Sequence, residues 1–222
     1  MTRLNRDRVL RAAVALADES GIESLSMRRL AQELDVVPMA LYKHVANKEQ
    51  LLDGMVDAVV GGIDPPVPGP DWRGVARQRI LSARRVLSRH RWAYRVIESR
   101  TGPTPAVLEY VDSMIGVFRD GGFSVDLTHH VMHAMGSRLL GFSQELFDDS
   151  GSGSAGPPDP ALAARYPRIA ELAAAAAHDA ESVVGGGCDD QFEFEFALDL
   201  LLDGFERLRV QGWSPPARSA GA

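Results

Sequence analysis

A chain of 222 residues with a hydrophobic fraction of 45% is long enough to bury one large core or two small ones. Its formal net charge of −6 excludes a uniformly basic nucleic-acid coat. Its single cysteine, Cys188, excludes an internal disulfide and suits the reducing cytoplasm.

No apolar run approaches the roughly 20 residues that span a bilayer, so no membrane partner is expected. The first twenty residues lack the apolar centre of a signal peptide. Aromatic residues are only 7%, and abundant Ala and Leu favour helices. The expected class is all-α.

The first helix shows in Val9, Ala12, Ala13, Leu16 and Ala17, one apolar face at helical spacing. Asn5 caps its start and Gly21 ends it. Ser24 or Ser26 caps a second, short helix, with Leu30, Ala31 and Leu34 inward and Arg28 and Arg29 near its start on another face. After a tight connection at residues 35–37, Pro38 suits the first turn of a third helix, "PMALYKHV", barely two turns long, held by Leu41 and Val45. Asn47 with Gln50 forms a capping box for the fourth. Its buried side is Leu51, Leu52, Met55, Val56, Val59 and Val60, and Gly61 and Gly62 stop it.

The stretch "DPPVPGP" at residues 64–70 reads as a rigid linker and a boundary between domains at 1–62 and 71–214. Beyond it, Trp72, Val75, Arg79, Ile80, Ala83 and Leu87 mark a helix of about 20 residues by their period. A short helix follows at Trp92–Ser99. Thr104, with Pro105 in the first turn, opens one carrying Val107, Leu108, Val111, Ile115 and Phe118 inward. Ser124 begins a long helix expected to reach Phe147. Residues 148–160 read as a flexible loop, and residues 161–182 as a helix interrupted by Pro167. The last segment alternates at "FEFEF" like a strand. However, Phe194, Leu198, Leu201, Phe205 and Leu208 continue at helical spacing, so a helix is expected there.

Residues 26–48 have the form of a helix-turn-helix. Such a motif needs a supporting helix pinned by an amphipathic partner and a short second helix that enters the major groove. Its flanks must offer phosphate donors. Pro38, Met39 and Ala40 allow close approach to base edges. Tyr42, Lys43 and His44 face backbone and groove, Arg28 lies within reach, and Lys48 opens the fourth helix, where the helix dipole adds to its charge. The charge distribution agrees. Residues 1–48 carry eight Lys/Arg against six Asp/Glu, a net +2, which leaves −8 for the rest. Spacing alone leaves open a plain three-helix bundle that touches no DNA.

The stretches "GIESLSMRRLAQELDVV" and "LYKHVANKEQLLD" resemble the tetracycline-repressor (TetR) family. The resemblance continues more weakly through "DWRGVARQRILSARRVLSRHR", "GGFSVD" and "FEFALDLLLDGFERL". It implies a homodimer with helix-turn-helix heads and a helical ligand-binding and dimerisation domain. It also implies a regulator, in its usual form a repressor, released from double-stranded palindromic DNA by a small-molecule effector. Position by position, it assigns Arg28, Pro38, Met39, Ala40, Tyr42, Lys43, His44 and Lys48 to DNA contact. Where tetracycline repressors carry polar base readers, Val37, Pro38, Met39 and Ala40 offer no side-chain hydrogen bonds. Readout here is expected to rest on thymine methyls and Arg28.

The resemblance also argues against tetracycline as effector. Ile97 stands where those repressors have the histidine that holds the drug's magnesium, and Arg79 and Ala83 stand at two further drug contacts. The expected pocket is largely apolar: Ile80, Ala83, Leu87, Ile97, Val107, Val111, Met114, Met132 and Met135. Arg100 or Arg138 could hold an acidic group. "HHVMH" at 129–133 puts His129 and His133 at a metal-chelating spacing, but His130 replaces the Glu of the catalytic zinc pattern. His130 and His133 are therefore expected to line the pocket or a subunit interface; a metal enzyme built on His129 and His133 is the rival reading. No phosphate-binding loop or catalytic triad is present, and no cofactor is expected.

Overall fold

The computed structural model describes residues 3–67, 69, 71–141, 164–168, 170–171 and 190–216. Among them every regular element is helical. The α-helices are α1 (Arg6–Ser20), α2 (Met27–Glu33), α3 (Pro38–Leu41), α4 (Lys48–Val60), α5 (Trp72–Arg89), α6 (Trp92–Ser99), α7 (Pro105–Asp120), α8 (Val125–Gly141) and α9 (Asp190–Val210). A 3-10 turn, Ile22–Ser24, joins α1 to α2. Residues up to Met132 form one compact unit and His133–Ser214 a second.

In the first unit the helix starts follow local side-chain chemistry. Asn5 Oδ1 accepts from Arg8 N–H at 2.8 Å, Ser26 Oγ from Arg29 N–H at 3.2 Å, and Asn47 Oδ1 from Gln50 N–H at 2.8 Å. Gln50 returns its Oε1 to Ala46 N–H, one residue earlier than a standard capping box. α1 ends at Gly21, whose φ of 79° suits glycine.

The faces so oriented meet in a core of Val9, Leu16, Leu30, Leu41, Val45, Leu51, Met55 and Val56. A fully buried aliphatic side chain contributes roughly 1.5–3 kcal/mol. That core does not stop at the Pro-rich segment 64–70. It takes in Leu87, Trp92, Ala93 and Val96 from α5 and α6. Trp92 Nε1–H donates to Asp18 of α1 at 2.7 Å, and Arg95 pairs with Glu23.

Further along, Trp72 packs edge-on to Phe123 at 4.7 Å and tilted to Phe118 at 5.6 Å. Gly121 permits this packing, because a Cβ there would lie 2.7 Å from the Trp72 ring.

α7 departs from expectation. Met114 and Phe118 are buried, but Leu108, Val111 and Ile115 are exposed. The helix has two apolar faces, and periodicity reports a face without saying which one packs. Its cap also differs. Thr104 stands at the N-cap position but makes no capping hydrogen bond. Asp57 of α4 instead accepts Ala106 N–H at 3.0 Å.

In the second unit, residues 190–210 form the helix that the spacing favoured over a strand. Its buried positions are Phe194, Leu198, Leu202 and Phe205, with Leu202 rather than Leu201 fully inside. Phe192, Phe196 and Leu200 form an exposed stripe at i, i+4 and i+8. The expected continuation of α8 to Phe147, the 148–160 loop, the glycine break at 185–187, Cys188 and the Arg138 side chain lie outside the described residues. So does the helix around Pro167, apart from short helical pieces at 164–165, 167–168 and 170–171.

Candidate nucleic-acid interface and effector core

The connection between α2 and α3 fixes the geometry of the head. Asp35 takes φ 53°. Its N–H donates to Gln32 C=O at 3.1 Å, and Val36 N–H donates to Ala31 C=O at 3.0 Å. These are the paired hydrogen bonds of a Schellman ending, built on an aspartate rather than a glycine. α3 then starts at Pro38 and runs a single turn. The expected two turns are completed by tight turns, with His44 and Val45 N–H groups both donating to Leu41 C=O.

Leu41 and Val45 are fully buried, which turns the rest of the segment outward. Val37 is 68% exposed, Met39 70% and Tyr42 44%. Pro38, Lys43, Lys48 and Arg28 are exposed, and Ala40 and His44 half-buried. Arg29 is used differently: it donates to Ser20 Oγ at the end of α1. The result is an apolar tip flanked by cations, on a short helix that protrudes from a packed bundle. Such a tip suits thymine methyls, with phosphates held at its flanks.

Behind this surface, α4 packs against α5, α6 and α7. Glu49, Asp53 and Asp57 lie at i, i+4 and i+8, one stripe of the helix. Arg100, at the end of α6, pairs with Glu49 and with Asp53. Asp57 caps α7. Arg100 was expected as an effector-binding residue; instead these two carboxylates occupy its guanidinium. The Glu49 hydrogen bond, opposed by burial and helped by Asp53, raises its pKa.

The other residues expected at the effector site separate. Ile80, Ala83 and Met114 are buried on α5 and α7. Leu87 belongs to the core shared with the head, and Ile97 packs against that core. Val111 is on the exposed face of α7. On α8, Met135 is buried, Met132 half-buried, and His130 and His133 exposed. Among the described residues no group of three His, Cys, Asp or Glu could hold a metal ion.

The resemblance placed Arg79 at a drug contact of the tetracycline repressors, but sequence reasoning did not single out the residues that surround it. Arg79, buried on α5, donates from Nη1 to Asp64 C=O and from Nη2 to Ser113 Oγ, both at 2.6 Å. Its guanidinium lies 4.7 Å from the Tyr110 ring centroid. Arg79 Nε, Tyr110 Oη and Thr104 Oγ1 are buried without a hydrogen-bond partner. A signal was present: Tyr110 and Ser113 are polar residues interleaved with the inward Met114 and Phe118.

A helix-turn-helix head with an exposed reading tip, on a helical body with a buried polar centre, defines a DNA-binding regulator. Residues 9–55 match the model of the bacterial regulatory proteins of the tetR family, and residues 65–209 that of the tetracyclin repressor-like C-terminal domain. The chain belongs to the TetR family of transcriptional regulators.

The HTH-type transcriptional repressor DrrR1 of Streptomyces coeruleorubidus is 30% identical over 224 residues, covering 94% of this chain and 79% of its own. A crystal structure of a possible TetR family transcriptional regulator from Streptomyces coelicolor A3(2) is similar at TM-score 0.73 and 30% identity, over 92% of this chain and 100% of that one. A TetR variant from Acinetobacter baumannii AYE, in complex with minocycline, is similar at TM-score 0.65 and 27% identity, over 93% of this chain and 99% of that one.

Proposed function

We propose that the protein is a homodimeric transcriptional repressor, acting in the cytoplasm, that leaves a palindromic operator when a small effector binds within its helical body. The head comprises residues 1–62 and the body residues 71–214. Arg28, Pro38, Met39, Ala40, Tyr42, Lys43, His44 and Lys48 contact the DNA. No catalytic step is part of this reading. A metal enzyme built on His129 and His133 finds no support among the repressors to which the chain is similar.

The observation that carries the proposal is the carboxylate stripe of α4. The helix that opens with Lys48 is held at Glu49, Asp53 and Asp57 by Arg100 and the first turn of α7. A ligand that displaces α6 or α7 therefore acts on the element carrying a DNA contact. Operator occupancy falls by the ligand's difference in affinity between the two arrangements. The exposed stripe of Phe192, Phe196 and Leu200 on α9 supports pairing of two copies through that helix and α8 in a four-helix bundle. Two recognition helices would then sit about one DNA turn apart, roughly 34–36 Å. That a relative's structure holds minocycline supports a small-molecule effector. Ile97 in place of a metal-holding histidine directs the effector away from the tetracyclines.

Selection of bound duplexes from random sequence tests the proposal. Enrichment of a palindrome is expected. Enrichment of nothing, or of a lone asymmetric site, contradicts it.

A further inference from the structure

We propose that the effector is an acid. Arg79 and Tyr110 form a buried anion seat between α5 and α7 that takes the carboxylate, or acidic phenol oxygen, of a small and otherwise apolar molecule. The consequence for DNA rests on the repressor reading; the chemistry rests on the seat alone.

Arg79 is only 7% exposed. Its two terminal nitrogens reach only neutral acceptors, Asp64 C=O and Ser113 Oγ, and its Nε–H reaches none. Asp64, whose C=O takes one of these bonds, directs its carboxylate elsewhere: Oδ2 accepts from Ser82 Oγ at 2.7 Å and from Arg85 Nη2 at 2.9 Å. Among the described residues, no carboxylate pairs with Arg79.

Burial lowers the arginine's pKa, although the neighbouring Tyr110 works in the opposite direction. A guanidinium nevertheless stays protonated in a protein, so the site keeps a positive charge met by neutral oxygens and the Tyr110 ring face but by no anion among the described residues. Buried charges without an ionic partner are rare because they are costly, and a bound anion is one way to offset that cost.

Tyr110 shares the same lack of a partner. Its hydroxyl is buried and unbonded, and burial pushes its pKa up to about 12. The phenol therefore keeps its proton and is available to donate it. Ser113 Oγ donates to Tyr110 C=O at 2.8 Å while accepting from Arg79, which fixes the guanidinium over the ring. The Arg79 guanidinium lies over the Tyr110 ring, 4.7 Å from its centroid, so one small region holds two unused donors, one of them a fixed cation, which matches an anionic oxygen better than a neutral carbonyl. Ile80 and Ala83, which follow Arg79 on α5, and Met114 beside Ser113 are buried and apolar, which suits a hydrophobic body attached to the acid.

The experiment measures the affinity of the full-length protein, by calorimetry and thermal shift, for matched pairs. Benzoic, salicylic, naphthoic and decanoic acids are each compared with their methyl esters. For at least one pair the acid is expected to bind about tenfold or more tightly than its ester. Arg79→Met is expected to bring acid and ester to parity. Tyr110→Phe removes a hydroxyl that has no partner in the protein, so it folds as the native chain does; it is expected to lower the preference for acid while ester binding holds.

Equal affinity for acid and ester, failure of every acid to bind, or an acid preference untouched by Tyr110→Phe overturns the seat. The two readings fail separately. Acid preference in a protein that selects no duplex sinks the repressor and leaves the seat. A selected operator with no acid preference does the reverse.

Discussion

In the head, α1, α2 and α4 each open on a residue that caps its own first turn: Asn5, Ser26 and Asn47. In the body, α7 opens on Thr104, whose hydroxyl is buried and unbonded, and its cap comes from Asp57 on α4. Every unanswered buried polar side-chain atom among the described residues lies on α5 or α7 or at the start of α7, and none lies in the head. The head thus leaves no buried polar side-chain atom of its own unpaired, while its core runs on into α5 and α6. In the body Asp71 and Ser124 still cap their own helices, but α7 depends on a neighbour for its cap, and three buried polar atoms, on Arg79, Thr104 and Tyr110, lack a partner. A rigid reader and an incompletely satisfied sensor are what a two-state regulator requires. Discrete rearrangement needs an element whose contacts are not already complete.

That contrast can be broken at several points. Leu41 is fully buried and holds α3 against α2 and the core. Leu41→Ala should cost about 2–5 kcal/mol and abolish DNA binding, read as a lower denaturation midpoint. A change well below that range would mean that Leu41 is not a tightly packed member of the core.

Gly121→Ala forces a Cβ against the Trp72 ring close to its own backbone. It should cost about 1–3 kcal/mol in a thermal melt, without altering affinity for the operator by more than the lost folded fraction.

Arg100→Ala removes the two pairs that hold α4 from α6. Glu49 is largely exposed and Asp53 half-buried, so screening limits the stability loss to about 1 kcal/mol or less. The sharper readout is coupling: effector-induced release from DNA should weaken while operator affinity without effector stays close to native. An unchanged effector response would remove Arg100 from the connection.

Asp35→Gly relieves the left-handed backbone at the helix-turn-helix corner. It should raise stability by a few tenths to about 1 kcal/mol. A loss would show that the aspartate side chain contributes more there than its strain costs.

The same contrast explains what was legible in the sequence. Asn5, Ser26, Pro38, Asn47 and the inward runs of α1 and α4 act on residues three or four positions away, so one sequence displays both halves of each interaction. The pairing of Arg100 with Glu49 and Asp53 spans about fifty residues, and nothing local distinguishes a paired arginine from a ligand-binding one. α7 misled for another reason: Leu108, Val111 and Ile115 are as periodic as the face that packs, and only the fold decides between them. The shared core of Leu87, Trp92 and Val96 with the head was hidden behind the Pro-rich stretch, whose composition marks a break in the chain and not a break in packing. Tyr110 and Ser113 were passed over because a polar residue on an apolar helix reads as an exception until its neighbour on another helix is known.

The measurement closest to the central claim is the affinity of the native protein for its selected duplex across a range of salt, alongside the doubly substituted Tyr42→Ala, Lys48→Ala protein. Each phosphate neutralised contributes about −0.9 to the slope of log affinity against log salt. The native slope should be steep. The double variant should bind more weakly, with a slope shallower by about two for a dimer that loses one lysine–phosphate contact per head. A flat native slope, or a double variant that matches the native protein in affinity and slope, would contradict the assignment of this surface to DNA.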